Sequence, residues 1–209
     1  MALTLTAVPF ALTLLLVENR WAPLLRADEG ARDGLHRYAL THAGFVTAMQ
    51  LISDCGSARA WIVVLAVVVV GLLWRRLHRL ALFVVVTALG SSLLNTAVKA
   101  VVHRPRPQLV DPVSHQSGLS FPSAHAQAAI VGYLVLLIVF LPAIHGAWRA
   151  TALTVSMVMV LAIGFARVAL GVHYVSDVVA GVLLGGAWVA AMAATFNVME
   201  GAVPLRVPT

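Results

Sequence analysis

The sequence predicts an all-α fold: a polytopic membrane helix bundle with six transmembrane helices and an interfacial amphipathic helix after the first. Composition is the first reason, because the 209-residue chain is 61% hydrophobic and 11% charged, whereas about a quarter of the residues in a soluble domain are charged. The second reason is that apolar stretches of about 20 residues, the length needed to cross a bilayer, recur along the chain. We expect residues 1–209 to form a single membrane-embedded domain.

The apolar stretches divide the chain into six predicted spans. The first is the shortest, and it lacks the Lys or Arg that opens a secretory signal, so we expect it to be retained. After it the chain is mixed, and from Gly34 to Ile52 apolar residues recur at roughly helical spacing, which predicts the amphipathic helix at the interface. The spans are expected near residues 3–18, 58–74, 80–102, 124–142, 150–171 and 177–198.

Charge and cysteine content narrow the expected partners. The formal net charge is +6, but the arginines are scattered at the ends of apolar runs, which is typical of contacts with lipid headgroups or an anionic substrate rather than with nucleic acid. The single cysteine, Cys55, excludes an intramolecular disulfide. Small residues at 181–194 favour close helix packing, either within one chain or in a homo-oligomer. We therefore expect the bilayer and its lipids as partners, and no nucleic acid.

Cationic and hydroxyl side chains lie where the third to sixth spans begin or end on one side of the membrane. They occur in the stretches KAVVHRPRP (99–107), FPSAHA (121–126) and ARVALGVHYVSD (166–177). Lys99, Arg106 and Arg167 together favour a multiply charged oxyanion, since Arg offers a planar fork to phosphate oxygens and Lys a point charge. Ser123 begins the fourth span, where its hydroxyl and nearby N–H groups would hold an anion at a helix N-terminus.

The last stretch also carries the pattern of an oriented histidine. Asp177 follows His173 by four residues, which places both side chains on one face of a helix. A carboxylate in that position fixes the imidazole tautomer and stabilises its cation, as in a catalytic triad. Arg167 and His173 are six residues apart, about 240° around a continuous helix. They converge only if the helix breaks between them, and Gly171 is placed to break it.

Each of these residues also has a purely structural interpretation. A lysine at a helix end, such as Lys99, commonly extends to the headgroups. His125, at the start of a span, is also typical of a helix cap or of a buried, hydrogen-bonded histidine. Arg167 lies within a span, where a charge costs at least a few kcal/mol unless it is paired or hydrated, so a salt bridge to Asp177 is its alternative. The remaining basic residues are expected in a loop near the entrance: His103, Arg104 and His115.

Taken together, the three stretches closely resemble the type-2 phosphatidic acid phosphatase family of integral-membrane lipid phosphate phosphatases. The family pattern is Lys-x6-Arg-Pro, then Pro-Ser-Gly-His, then Ser-Arg-x5-His-x3-Asp, and the resemblance covers a motif-bearing core of about 58–198. Two positions depart from it: Ala124 replaces Gly, and Ala166 replaces the usual Ser. Ala is tolerated at 124 if that residue is helical, whereas Ala166 removes a hydroxyl that could contact phosphate. We expect activity to survive, at a lower rate or with a shifted substrate preference.

The resemblance implies a two-step reaction without a metal ion or other cofactor. His173, oriented by Asp177, attacks phosphorus and forms a phosphohistidine; His125 protonates the leaving oxygen and then activates water. The implied phosphate-binding groups are Lys99, Arg106, Ser123, the N–H of Ala124, and Arg167. The implied substrate is a lipid phosphate: undecaprenyl pyrophosphate, phosphatidylglycerol phosphate, phosphatidic acid or diacylglycerol pyrophosphate.

The resemblance also implies an integral protein of a bacterial-type plasma membrane, with its site on the extracytoplasmic face and both termini in the cytoplasm. The compact RRLHR loop (75–79) agrees with this orientation. Three alternatives stay open. One is a lipid phosphotransferase using the same intermediate, and another is a vanadate-binding haloperoxidase, although those related enzymes are soluble and larger. The third is a non-catalytic lipid-binding or transport protein that keeps the anion pocket without turnover.

Overall fold

The computed structural model describes residues 2–198, and in that range the chain is helical, with no strand. Five segments are long and apolar enough to cross a membrane, one of them the combined stretch Ala43–Trp74, and a bent pair of helices near the N-terminus is a sixth candidate. These observations confirm the predicted all-α membrane bundle. The helices are α1 (Ala2–Glu18), α2 (Ala22–Thr41), α3 (Ala43–Cys55), α4 (Ala58–Trp74), α5 (His78–Val102), α6 (Ala124–Phe140), α7 (Ala147–Ala169) and α8 (Val175–Thr195).

The region between the first two predicted spans differs from the expectation. The amphipathic segment expected from Gly34 to Ile52 is divided between two helices, because α2 ends at Thr41 and His42 adopts φ −131° and ψ 78° before α3 begins. α2 begins earlier than expected, and its axis turns 90° from that of α1. If α1 crosses the membrane, α2 therefore lies along its surface. The break at His42 lets α3 leave this direction and pack against α7.

The main apolar core lies between α4, α5, α6 and α8. Trp61 of α4 packs edge-on against Tyr133 of α6, with ring centroids 5.0 Å apart, and Phe83 of α5 is fully buried in the same cluster. On the outer surfaces of the helices, large apolar side chains such as Leu93 and Leu161 are exposed. A bundle that is apolar outside as well as inside is what a bilayer solvent requires.

The small residues at the start of α8 serve packing inside the chain. A Cβ placed on Gly181 would lie 2.6 Å from the carbonyl oxygen of Ser123, and one on Gly185 would lie 2.5 Å from Ile130, so α6 and α8 approach closely only because these residues are glycines. Buried polar contacts join α5 to α6, where Asn95 donates to Gln127 at 2.8 Å. The homo-oligomer stays an open expectation.

Four helix ends meet at one end of the bundle. α5 ends there with His103 in the left-handed conformation (φ 52°), and the prolines that follow prevent the helix from continuing. The loop 103–123 leads to the start of α6, and the end of α7 and the start of α8 lie beside it, because Arg106 of that loop contacts Val172 and Ser123 contacts Asp177. Residues 75–77 connect α4 to α5, so this connection lies at the opposite end of the bundle.

Candidate active site

The α7–α8 turn brings residue 173 back toward the bundle. α7 ends at Ala169, and Gly171 follows with φ 70°. The N–H of Gly171 donates to Val168 O at 2.9 Å and that of Val172 donates to Arg167 O at 3.3 Å, which is a Schellman arrangement. The break that Arg167 and His173 need in order to converge therefore occurs at the predicted glycine, because only a residue without Cβ adopts this φ without strain.

His173 and Asp177 form a buried pair at the start of α8. Nδ1 of His173 lies 3.4 Å from Oδ2 of Asp177, and the same oxygen accepts the backbone N–H of Tyr174 at 2.9 Å. The exposed fractions are 1% for His173 and 0% for Asp177. Burial lowers the pKa of His173 to about 4, although the Asp177 carboxylate acts in the opposite direction. The imidazole is therefore neutral at physiological pH.

Arg106 contacts the other nitrogen of this imidazole. Its Nη1 lies 3.0 Å from Nε2 of His173 and donates to Val172 O at 2.9 Å. A guanidinium only donates hydrogen bonds, so Nε2 is the acceptor and the imidazole proton lies on Nδ1, toward Asp177. Burial also lowers the pKa of Arg106 below its usual range. The lone pair of Nε2 thus points at a cation rather than into solvent.

The three predicted phosphate-binding cations converge on one short stretch of loop, residues 116–119, which we call the 116–119 segment. Lys99 Nζ donates to Leu119 O at 2.5 Å, so this lysine turns inward instead of extending to the headgroups. Arg106 Nε donates to the carbonyls of residues 117 and 118 at 3.2 and 3.1 Å. Arg167 donates to the Gln116 side chain. Oxygen atoms of the protein itself therefore occupy donors on all three cations.

Arg167 is the most deeply buried of the three, with 4% of its surface exposed. Besides Gln116, it donates to Ser53 Oγ of α3 at 2.8 Å, and its Nε has no partner among the residues that the structure describes. The salt bridge from Arg167 to Asp177, considered as an alternative from the sequence, is not formed within residues 2–198. A buried cation with a vacant donor is a favourable site for an anion.

The start of α6 completes the cluster. Ser123 is the N-cap, and its backbone N–H donates to Asp177 O at 2.9 Å, which joins α6 directly to α8. Ala124 is the first helical residue and is exposed; backbone donors in a first turn have no partner within the helix. Positive φ is therefore not required at 124, and Ala fits. Ala166, the other departure, is fully buried in α7.

His125 is half-buried one residue further along α6. No hydrogen bond among the described residues joins it to His173, but it lies close enough for the charges of Lys99, Arg106, Arg167 and His173 to act on it. The cap is Ser123, so a capping role for His125 does not apply. The structure therefore brings all the predicted site residues to one end of the bundle: Lys99, Arg106, Ser123, Ala124, His125, Arg167, His173 and Asp177.

A model of the PAP2 superfamily matches residues 79–199. The chain belongs to the PAP2 superfamily. Phosphatidylglycerophosphatase B of Bacillus subtilis is 38% identical over 96 residues, 44% of this chain and 46% of that protein. Decaprenylphosphoryl-5-phosphoribose phosphatase of Mycobacterium tuberculosis is 38% identical over 91 residues, 42% of this chain and 45% of that protein. The chain thus spans about half the length of the curated relatives it matches.

A solved PAP2 structure agrees with the fold over nearly the whole chain. The crystal structure of a transmembrane PAP2-type phosphatidylglycerolphosphate phosphatase from Bacillus subtilis superposes with a TM-score of 0.76, covering 95% of this chain and 98% of that one at 24% identity. The sequence resemblance to the type-2 phosphatidic acid phosphatases is therefore confirmed, as is the polytopic helical fold. This PAP2 chain is an integral membrane protein by its apolar helices and by this likeness.

Sequence reasoning missed one part of the PAP2 site. Arg104, expected near the entrance with the exposed His103 and His115, instead turns inward and pairs with two buried carboxylates, Asp177 at 2.7 Å and Asp28 at 2.9 Å. Asp28 comes from α2, outside the region that the family model matches. The sequence does contain a pattern that indicates burial of Asp28, because the buried residues of α2 share one helix face: Asp28, His36 and Ala39. This face can be recognised in the sequence only once the helix is known to begin at Ala22.

Proposed function

We propose that this protein is a metal-independent lipid phosphate phosphatase that works through a phosphohistidine. The observation that carries the proposal is the environment of His173, a buried neutral imidazole with a carboxylate at Nδ1 and the Arg106 guanidinium at Nε2. A nucleophile needs a free lone pair, an orienting group behind it, and donors where the charge of the transition state develops. All three are available when a phosphate takes the place of Arg106 at Nε2.

The first step transfers the phosphoryl group to the protein. Nε2 of His173 attacks phosphorus while the bond from phosphorus to the lipid oxygen breaks, and protonated His125 gives its proton to that oxygen. The imidazolium formed at His173 keeps its Nδ1 proton, which faces the Asp177 carboxylate. The lipid leaves as an alcohol, or as a lipid monophosphate if the substrate is a pyrophosphate.

The second step releases inorganic phosphate. Neutral His125 accepts a proton from a water molecule, the water oxygen attacks phosphorus, and the bond from phosphorus to Nε2 breaks. Lys99, Arg106 and Arg167 bind the equatorial oxygens in both steps, with the hydroxyl of Ser123 and the N–H of Ala124 at the start of α6. Among residues 2–198 no group of three or more His, Cys, Asp or Glu side chains could hold a metal ion. In this mechanism the three cations supply the positive charge.

We propose a membrane lipid with a terminal phosphate as substrate. Both curated relatives are phosphatases named for such lipids, a phosphatidylglycerophosphate and a decaprenyl-linked phosphoribose phosphate. A site at the ends of membrane helices is suited to a headgroup whose apolar tail stays in the bilayer. Residues 75–79, which connect α4 to the first turn of α5 at the opposite end of the bundle, carry three arginines, which agrees with a cytoplasmic location for that end. The site then faces the extracytoplasmic side of a bacterial-type plasma membrane.

The test is phosphate release by the purified protein with EDTA present. The panel is phosphatidylglycerol phosphate, phosphatidic acid, diacylglycerol pyrophosphate and undecaprenyl pyrophosphate, and the variants are His173→Ala and His115→Ala, an exposed histidine of the same loop region. We expect release to survive EDTA, to fall by at least about 10³-fold in His173→Ala, and to be unchanged in His115→Ala. An acid-labile phosphoenzyme should form in the parent and be absent from His173→Ala.

Two outcomes would reject this proposal. Equal release by the parent and His173→Ala would exclude the histidine mechanism. Release only after a second lipid or sugar is supplied would indicate the phosphotransferase instead, since the same phosphoenzyme would then transfer its phosphoryl group to that acceptor.

A further inference from the structure

Arg104 lies between two buried carboxylates. Its Nη1 donates to Asp177 Oδ1 at 2.7 Å and its Nη2 to Asp28 Oδ2 at 2.9 Å, and the exposed fractions of the side chains are 10% for Arg104, 0% for Asp177 and 2% for Asp28. Its guanidinium stacks 4.2 Å from the ring centroid of Tyr174. Arg104 also donates to the Ser176 hydroxyl, and none of its contacts is to a group that is proposed to bind the phosphate.

Asp28 is itself fixed by the start of α8. Its Oδ1 accepts the backbone N–H of Ser176 at 2.9 Å, and its Oδ2 accepts the Ser176 hydroxyl. That hydroxyl also lies 2.7 Å from Nη1 of Arg104. Among the described residues, the Asp28 carboxylate therefore hydrogen bonds only with Arg104 and with Ser176, the residue before Asp177.

These contacts control which way the Asp177 carboxylate faces. Arg104 engages Oδ1, so Oδ2 is the oxygen left for the backbone N–H of Tyr174 at 2.9 Å and for Nδ1 of His173 at 3.4 Å. We propose that Arg104, held in place by Asp28, is a positioning residue for the reaction: it orients the Asp177 carboxylate toward His173 and keeps it ionised. This inference rests on the proposed function and extends it to two residues that the family pattern does not specify, Arg104 at a variable position of the first motif and Asp28 on α2.

The charge of Arg104 matters as well as its geometry. Asp28 and Asp177 are both buried, and the Arg104 guanidinium lies between them and hydrogen bonds both, so its positive charge offsets the cost of burying negative charge there. An ionised Asp177 is what stabilises the imidazolium that forms when His173 is phosphorylated. Loss of Arg104 should therefore slow the chemical step and leave phosphate binding largely intact.

The experiment is chemical rescue of Arg104→Ala by the guanidinium ion. A cavity of about 360 Å³ lined by Arg104, Tyr174 and Glu29 gives a small cation access to the position of the missing side chain. We expect kcat to fall about 10- to 100-fold, as for other residues that orient a catalytic group, with KM within about threefold because no phosphate contact is lost. Millimolar guanidinium should restore activity, whereas urea, its neutral counterpart, should not.

Two further variants separate positioning from a general structural role. Arg32→Ala is the matched control, because Arg32 approaches the same Tyr174 ring, at 5.9 Å, but pairs only with Asp33 on α2; its kcat should equal the parent's and not respond to guanidinium. The double variant Asp28→Asn/Arg104→Gln removes both charges together, so that no buried carboxylate of α2 is left without its cation. It should fold, as judged by parent-like inhibition with orthovanadate, and still show the lowered kcat.

The outcomes are decisive. Rescue by guanidinium alone, with reduced kcat in the folded double variant, supports the proposal. Parent-like kcat in the double variant, or equal restoration of Arg104→Ala by urea, would show that the pair only attaches α2 to the bundle, and phosphate release by the parent would remain as evidence for the proposed function. A parent that releases no phosphate would reject the proposed function and with it this role of Arg104.

Discussion

The close approach of α6 and α8 sets the distance between the two halves of the site, and Gly181→Ala tests it. The added Cβ would lie 2.6 Å from Ser123 O and 3.3 Å from Gln127 N, where ordinary contact begins at 3.4 Å. Both neighbours are backbone atoms of α6, so no flexible side chain can move aside. The helices must separate by about 0.8 Å at the level where the Ser123 N–H donates to Asp177 O at 2.9 Å.

We expect Gly181→Ala to lower both stability and activity. Overpacking costs about 1–3 kcal/mol of the free energy of unfolding, and a displacement near 1 Å between reacting groups costs about 10²-fold in rate. The assays are thermal inactivation in detergent and phosphate release from the best lipid of the panel. A variant with the parent's kcat would refute the conclusion that this helix contact positions the α6 groups against His173.

Two other glycines provide graded controls for this variant. Gly185→Ala meets Ile130 Cγ2 at 2.5 Å and the Gln127 carbonyl oxygen at 3.1 Å, about one turn further from the site, so it should lose stability with a smaller loss of kcat. Gly71→Ala meets nothing within 4 Å and should be as stable as the parent or more so, since Ala exceeds Gly in helix propensity by about 1 kcal/mol. Equal loss of kcat in all three would point to an effect unrelated to the α6–α8 contact.

Three further predictions concern the site. In the proposed mechanism neutral His173 attacks, and burial lowers its pKa to about 4, so kcat/KM should persist as the pH falls through 6.5 and be lost near 4. Asp177→Asn should move this acid limb to lower pH, because the carboxylate raises the pKa; an unmoved limb on the same substrate would contradict it. Gln116→Ala frees a donor of Arg167, so inorganic phosphate should inhibit roughly threefold to tenfold more tightly, and weaker inhibition would count against the phosphate site. Ala124→Gly should not raise kcat, and a faster enzyme would mean that Ala124 strains the loop.

The membrane spans were predictable because each is fixed by local composition. The start of α4 at Ala58 and the end of α5 at Val102 lie within two residues of the expected bounds, since charged residues and prolines outside the apolar runs end them. The break at His42 was not predictable in this way. It depends on α3 packing against α7, a contact between residues that are more than a hundred positions apart, and helical periodicity carries no information about it.

Within the site, contacts between residues that are close in the sequence could be predicted, and contacts between distant residues could not. The four-residue spacing of His173 and Asp177 and the glycine at 171 determine local geometry, and the structure has both. The pairing of Asp28 with Arg104 joins residues 76 positions apart, and Asp177 pairs with Arg104 instead of with Arg167. A carboxylate on an amphipathic helix is usually solvated, so only the folded arrangement reveals that Asp28 is buried.

The distribution of charge explains why this end of the bundle favours an anion. Asp177 is neutralised by Arg104, which leaves Lys99, Arg106 and Arg167 without a carboxylate at hydrogen-bonding distance among the described residues. The 116–119 segment offers these cations neutral oxygens, which do not cancel three positive charges, one of them the buried Arg167. A phosphate group offers acceptor oxygens and also the missing negative charge. In the proposed mechanism the phosphate therefore competes favourably for these donors, and by drawing Arg106 away it exposes the Nε2 lone pair of His173 at the moment when phosphorus arrives.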